Sequence, residues 1–337
     1  MTTVFLVLAL VLAAAFAFLN GFRDVSTAVA VAVRTRALTP TVAVLLAGLF
    51  NVLGALLSVG FAAAMRERLV SLPSGEDGLG LLTASLASAC LWGVYQWWRG
   101  YPSSSTHALI GSLAGASLAS TLVGETPLQG MDGTVLALVV LPLLISPVIA
   151  FALSFVTVYP AVWAVRYSQP NYVNLRVRRL QSVAAAAVAF GHGLQDGART
   201  AAVVLLALAA AGLAGGTGAV PGWVPVFTAV FLGAGTLAGG WRISYTLGSR
   251  LARVDPMRGL VAQLVSSVLL FIGAIALHLP LSTTHTVTSS IVGSGLNQRF
   301  TVTNTPLMLR ILGAWVMTPV ATALLGAILY LAISPAI

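Results

Sequence analysis

The chain lacks lysine altogether, and it has only eight acidic residues and one cysteine. Charged residues make up 7% of its 337 positions, whereas hydrophobic residues make up 58%. So small a polar fraction cannot cover the surface of an ordinary soluble protein, and that class is excluded. The single cysteine, Cys90, excludes an intrachain disulfide and a cysteine-ligated metal site.

All seventeen cationic residues are arginine, which gives a formal net charge of +9. In a soluble domain this charge would suggest nucleic-acid binding, but here the arginines lie mainly in short loops between apolar runs, the pattern of the positive-inside rule. We therefore predict no nucleic-acid partner and expect two arginine clusters to face the cytoplasm. They are Arg166, Arg176, Arg178 and Arg179, and Arg242, Arg250, Arg253 and Arg258.

The apolar runs predict a chain that crosses the lipid bilayer many times. A span needs about 20 apolar residues to cross a hydrocarbon core about 30 Å thick, and roughly ten stretches can be placed, some too short to cross alone. Short runs interrupted by Gly or Pro are typical of broken or re-entrant helices. The sequence therefore predicts an all-α, polytopic transmembrane helical bundle in the cell membrane.

Two polar islands interrupt the apolar runs, and each carries one Asp and one Arg. They are residues 20–27, with Arg23 and Asp24, and residues 190–200, with Asp196 and Arg199. An unpaired charge inside a bilayer costs about 2.5–3.5 kcal/mol on insertion scales, so intramembrane charges are candidates for a functional site. We expect the islands to break their helices, and we expect His192 to pack within the second island.

A second pair of motifs places hydroxyl residues and a histidine directly after a proline. Both read Pro-x-Ser-[Ser/Thr]-Thr-His, at residues 102–107 and 280–285. One such hydroxyl motif would more often bond to its own helix backbone, but its recurrence in the second half favours function. The N–H groups at a helix start, together with hydroxyl donors, form a site for an anion.

The order of the motifs is the same in both halves, which predicts two repeats of inverted topology. We expect a first transmembrane repeat at 1–165, a cytoplasmic connector at 166–181 and a second transmembrane repeat at 182–337. Duplicated halves that each place polar residues at membrane depth are typical of secondary transporters. The binding site is then expected where the halves meet.

The motifs resemble those of the inorganic phosphate transporter (PiT) family, in its bacterial low-affinity branch, over nearly the whole chain. The residues that carry the resemblance are Gly21-Phe22-Arg23-Asp24, His192-Gly193-Leu194-Gln195-Asp196 and both hydroxyl motifs. It implies a helical inverted repeat around a central phosphate site. Four positions depart from the usual family residues: Arg23 replaces Asn or His, Thr27 and Gln195 each replace Asn, and Arg199 is the fourth. Sodium-coupled members tend to have Asn at the position of Arg199.

The resemblance implies roles for individual residues. Substrate binding is assigned to Asp24, Ser104, Ser105, Thr106, Asp196, Arg199, Ser282, Thr283 and Thr284. Coupling or gating is assigned to Arg23, Thr27, His107, Gln195 and His285. An enzyme is not expected, because a hydroxyl and a His that are neighbours in sequence lack the geometry of nucleophilic catalysis. No cofactor and no bound metal are expected either.

Phosphate is preferred to sulfate as the substrate, because a carboxylate can accept a hydrogen bond from hydrogen phosphate and sulfate has no such proton at neutral pH. A permease for sulfate or another oxyanion stays an alternative. Coupling to protons without sodium is predicted, since the guanidinium groups of Arg23 and Arg199 would repel a cation beside the carboxylates. A sodium symporter, transport of a metal–phosphate complex and a homodimer are left open.

The predicted orientation can be tested at Asn174, in the expected connector. In a Cys90→Ala background, Asn174→Cys should react with a membrane-impermeant maleimide in inside-out vesicles but not in intact cells, because the surrounding arginines hold this segment in the cytoplasm. Labelling of intact cells would show that the orientation is reversed.

Overall fold

The computed structural model describes residues 1–68, 71–125, 136–213, 220–298 and 303–337, and helices dominate them. The helices are α1 (Thr2–Arg34), α2 (Pro40–Leu56), α3 (Val59–Arg68), α4 (Glu76–Arg99), α5 (Ser105–Leu122), α6 (Leu141–Ala164), α7 (Pro170–Ala210), α8 (Trp223–Ala238), α9 (Trp241–Tyr245), α10 (Pro256–Phe271), α11 (Thr283–Leu296) and α12 (Thr305–Ile333). Short π-helical segments precede α6 and extend α9 and α10. The predicted all-α class is confirmed.

Several of these helices can cross a membrane. Among the described residues, five are long and apolar enough to do so alone: α1, α4, α6, α10 with its π-helical extension, and α12. The pair α8 and α9 adds a sixth candidate, which is bent by 59° at a short break. Large apolar side chains such as Val148 and Val316 are exposed on the outer faces, as expected for helices that contact lipid. The predicted multi-pass membrane protein with a broken helix is confirmed.

The two polar islands do not break their helices, so that expectation was wrong. Both α1 and α7 continue through them without interruption. An unbroken helix keeps every backbone N–H and C=O group paired at membrane depth, and only the side chains bring polarity. The glycines serve close packing instead: a Cβ on Gly21 would lie 2.0 Å from the carbonyl oxygen of Leu232, and one on Gly193 would lie 2.3 Å from that of Asn51.

The helical structure is interrupted at the beginning of each hydroxyl motif. Residues 101–104 and 277–282 are not helical, and α5 and α11 begin directly after them. Ser104 and Ser282 cap these helices, because their Oγ atoms accept the backbone N–H groups of His107 and His285, each at 3.3 Å. The motifs therefore start helices inside the bundle, as the sequence indicated.

The two halves exchange equivalent contacts. Helix α1 packs against α8 as α7 packs against α2, and α5 packs against α12 as α11 packs against α6. This pattern is what two intertwined repeats of inverted topology produce. The exact repeat boundaries stay a prediction; the expected connector, 166–181, consists of a turn and the first turns of α7.

The contact between α1 and α8 gives a test of the packing. A Cβ on Gly235 would lie 1.9 Å from the carbonyl oxygen of Phe18, so Gly235→Ala must push the two helices apart. Overpacking of this kind costs about 1–3 kcal/mol, and the midpoint of thermal unfolding in detergent should fall.

The matched control is Gly313→Ala on α12, because nothing lies within 4 Å of a Cβ at that position. Alanine is favoured over glycine inside a helix, so this variant should be neutral or more stable. Equal unfolding midpoints for the two variants would contradict the close approach of α1 and α8.

Candidate functional site

Two acidic and two basic side chains meet inside the bundle, between α1 and α7. The Nε2 atom of His192 lies 3.3 Å from Oδ2 of Asp196 and 3.8 Å from Oδ2 of Asp24. Arg199 Nη2 lies 3.0 Å from Oδ1 of Asp196. No more than 2% of any of the four residues is exposed, so each charge depends on its neighbours for compensation.

Hydrogen bonding orients the ring of His192. The Oγ1 hydroxyl of Thr236 donates to the Leu232 carbonyl and therefore accepts from Asn51 Nδ2, at 2.8 Å. The remaining oxygen of that amide, Oδ1, then accepts from Nδ1 of His192 at 2.9 Å. With Nδ1 protonated, a neutral ring would turn the lone pair of Nε2 towards the two carboxylates. A proton on Nε2, or a cation bound there, would remove this repulsion.

The expectation that His192 only packs within its island was wrong. A signal for its position was present in the sequence, because His192 precedes Asp196 by four residues and the two therefore share a face of α7. Asn20 stands at the same spacing before Asp24 on α1. Only the tertiary contacts show that this histidine lies between the two carboxylates.

The hydroxyl motifs reach this cluster from both halves. Arg199 Nη1 donates to Ser105 Oγ at 2.7 Å, and Thr284 Oγ1 donates to Asp24 Oδ1 at 3.1 Å. The Oγ1 atoms of Thr106 and Thr283 are buried and have no hydrogen-bond partner. Buried hydroxyls without a partner are the donors that a ligand can use.

Three other predicted residues are engaged locally. Ser104 and Ser282 use one oxygen lone pair each for helix capping, which leaves their O–H groups able to donate. Thr27 Oγ1 donates to the carbonyl of Asp24 at 2.6 Å and so stays on its own helix. Nothing in these contacts brings Thr27 to the charged cluster.

Arg23 and Gln195, each directly before an Asp, bond to the residue that follows the proline of a hydroxyl motif. Arg23 Nη2 donates to the carbonyl and the Oγ of Ser103, at 2.7 Å and 3.0 Å. Gln195 Oε1 accepts the backbone N–H of Leu281 at 3.1 Å. Arg23 forms no ion pair with any carboxylate in the described parts of the chain. Both side chains therefore position the motifs from equivalent places.

The sequence profile of the phosphate transporter family matches residues 20–176 and 164–326, which together include both islands and both hydroxyl motifs. The chain belongs to the phosphate transporter family. The resemblance drawn from the motifs is thereby confirmed.

Individual relatives agree with this membership. A probable low-affinity inorganic phosphate transporter of Bacillus subtilis (strain 168) is 36% identical over 96% of each chain. One of Rhizobium meliloti (strain 1021) is 37% identical over 94% of this chain and 93% of the relative. A solved structure of a sodium-dependent phosphate transporter matches with a TM-score of 0.79 over 99% of this chain and all of the other, at 21% identity. The two share the fold.

In this family member the acidic cluster could hold a cation. Ligand atoms of Asp24, His192 and Asp196 all lie within 4.8 Å of one another, the one such group of acidic and histidine side chains in the described ranges. A cation would need the Nε2 lone pair that the imidazolium form lacks. The cluster therefore takes up either a proton on His192 or a cation coordinated by it.

Trp315, on α12, joins the two hydroxyl motifs and was not anticipated. Its Nε1 donates to the carbonyl of Pro102 at 2.8 Å, and its ring stacks on His285 with centroids 3.9 Å apart. The ring of His285 is in turn 4.8 Å from that of His107. These rings border a cavity of about 580 Å³ whose other walls are mostly apolar. We predict that Trp315 sets the separation of the motifs.

The variant Trp315→Phe tests this role. It keeps an aromatic ring against His285 and removes the donor to Pro102, a bond worth about 0.5–1.5 kcal/mol. Binding of radiolabelled phosphate, the anion that the resemblance predicts, should weaken between about twofold and tenfold, because the first motif is no longer fixed.

The matched control is Trp92→Phe. Trp92 Nε1 also bonds to α12, at Thr318 Oγ1 (3.1 Å), but it touches neither motif. Both variants lose one indole hydrogen bond, so a general loss of stability would be shared. Identical phosphate affinities in the two variants would refute the role of Trp315.

Proposed function

We propose that the protein is a secondary active transporter that carries inorganic phosphate across the cell membrane with protons and without sodium. Membership of the phosphate transporter family supports the substrate, and the relatives from Bacillus subtilis and Rhizobium meliloti are described as phosphate transporters. Their role also favours transport over catalysis. The observation that carries the proton coupling is the position of His192 between Asp24 and Asp196.

The donors around the cluster suit a tetrahedral oxyanion. The free hydroxyls of Thr106 and Thr283 come from opposite halves, at the N-terminal ends of α5 and α11. Their neighbours supply further N–H groups and the positive end of each helix dipole. Arg199 adds a planar fork of donors that matches two oxygens of the anion.

Asp24 supports phosphate over sulfate. Its carboxylate accepts a hydrogen bond from Thr284 and lies 3.8 Å from Nε2 of His192, but unlike Asp196 it is not paired with a guanidinium. A carboxylate in this position can accept the O–H of a protonated phosphate, whereas sulfate would present only acceptors. Sulfate oxygens would therefore face the carboxylate of Asp24 without a proton between them, which makes a sulfate permease the weaker alternative.

The charge balance links the anion to a proton. Two carboxylates are opposed by the guanidinium of Arg199 and the imidazolium of His192, so the cluster is neutral when His192 is protonated. Loss of that proton leaves a net negative charge beside the anion site, at a depth where solvent screens it weakly. Phosphate and proton therefore stabilise each other's binding, which is the requirement for symport.

Arg23 does not contribute to this balance in the way that its position in the sequence predicted. Its guanidinium is bonded to Ser103 and lies away from the carboxylates. In the proposed balance, His192 provides the positive charge that the sequence analysis had assigned to Arg23.

Sodium coupling is the second candidate, because the cluster offers three cation ligands and the protein of similar fold is described as sodium-dependent. Arg199 is an argument against sodium coupling, because its guanidinium is already paired with Asp196 and would repel a cation bound beside that carboxylate.

Uptake into liposomes tests the proposal. The purified protein should accumulate radiolabelled phosphate, and much less sulfate, when the medium is acidic relative to the lumen. Replacing sodium by choline should leave the rate unchanged, and a protonophore should abolish accumulation. A requirement for sodium that persists without a pH gradient would show that the proton coupling is wrong.

His192→Asn should lower proton-driven phosphate uptake by about tenfold or more, because two buried carboxylates then share a single cation. The matched control is His278→Asn: His278 lies against Phe61, at a positive φ of 50° that asparagine tolerates. Equal losses in both variants would mean that the effect is not specific to the cluster.

A further inference from the structure

A cavity of about 280 Å³ lies away from the central site, where α1 ends and close to the starts of α7 and α10. It is lined by Arg34, Thr35, Arg36, Arg178, Val254 and Pro256. Three arginines thus border one small space: Arg34 and Arg36 are exposed, and Arg178 is half-buried. The proposed transport mechanism uses none of them.

The three arginines have no acidic partner. None of them forms an ion pair in the part of the chain that the structure describes. Asp255, the carboxylate nearest in sequence to the lining residues, is already bound by Arg258 through its backbone N–H at 2.9 Å and through its side chain. Three cations around one cavity repel one another, and a bound anion removes that repulsion.

Two buried donors at or beside the cavity lack an acceptor among the described residues. The Nε atom of Arg178 is buried and has no hydrogen-bond partner. One turn further along α7, Gln181 is fully buried; its Oε1 accepts from Thr35 at 2.7 Å, but its Nε2 has no partner. Buried donors without acceptors are rare in folded proteins, and a ligand rich in oxygen would satisfy those that it reaches.

Arg36 occupies an unfavourable backbone conformation. It follows the C-cap of α1 with φ at +59°, in the left-handed region. Helices that end in this way usually place glycine there, since a side chain costs about 1–2 kcal/mol. At five other described positions with positive φ the chain uses glycine. Because Arg36 lines the cavity, a ligand bound there would be a physical reason for an arginine at this strained position.

We infer that this cavity is a second anion site, which binds a phosphate group through the guanidinium forks of Arg36 and Arg178. The group belongs either to free inorganic phosphate or to the headgroup of an anionic lipid. Both can reach a basic cavity at the end of a membrane bundle. The site does not depend on the proposed transport function, because its ligand is selected by charge and donors that lie outside the central cluster.

The test combines two ligands with two single variants, Arg36→Gly and Arg178→Gln. Binding of inorganic phosphate is measured by equilibrium dialysis in lipid-free neutral detergent. Retention of phosphatidylglycerol against phosphatidylcholine is measured by native mass spectrometry from mixed micelles. Each variant should weaken the binding of the site's ligand by about tenfold or more, because one charge-assisted fork is lost.

Arg36→Gly separates binding from stability. Glycine fits φ of +59° without strain, so the unfolding midpoint of this variant should be unchanged or raised while the ligand is lost. Arg166→Gln and Arg176→Gln are the matched controls at the same end of the bundle: these side chains are exposed and lie over the rings of Trp163 and Tyr172. Both controls should bind as the unmodified protein does.

Phosphate that remains bound to a Ser105→Ala variant but is lost in Arg36→Gly would assign the cavity to free phosphate. Selective loss of phosphatidylglycerol would assign it to a lipid headgroup. The inference is overturned if Arg36→Gly and Arg178→Gln both retain the two ligands at unchanged affinity. It is equally overturned if the controls lose them to the same extent.

Discussion

The compensation of two buried carboxylates is the interaction on which the centre of this protein depends. Asp24 and Asp196 lie inside helices that cross the bundle, where an unpaired charge would cost several kcal/mol. The guanidinium of Arg199 and the ring of His192 lie against them. His192 is oriented by its hydrogen bond to Asn51 Oδ1, and Asp24 accepts a hydrogen bond from Thr284. Because α1 and α7 remain helical through this region, their backbones add no further unpaired groups.

The scaffold is nearly symmetric, but its charges are not. Helices α1 and α7 pack against α8 and α2 in equivalent ways, with glycines at both contacts. Both basic side chains of the cluster come from α7, whereas α1 contributes Asp24 without a guanidinium. Under the proposed function, an anion between the halves would meet mostly donors on one side and an acceptor on the other. That difference would give a protonated phosphate a preferred orientation, which a symmetric site would lack.

The residues that fix the hydroxyl motifs are as important as those that face the ligand. Arg23 and Gln195 bond to the second residue of each motif, and Trp315 contacts both motifs at once. A site of several hydroxyls binds an anion well only if the donors are held in place beforehand, since ordering them on binding would reduce the affinity. These supporting contacts connect α1, α7 and α12 to the starts of α5 and α11.

The sequence by itself determined the membrane class, the helical fold and the paired motifs, because hydropathy, proline-led helix starts and intramembrane charges are local properties of the chain. It also pointed to Asp24, Asp196 and Arg199, since polar residues within apolar runs stand out. It could not determine which charge lies beside which. Contacts between segments far apart in sequence bring Arg23 to Ser103 and His192 to the carboxylate of Asp24. Trp315 and the arginine cavity around Arg36 likewise depend on how the helices pack, which no local pattern encodes.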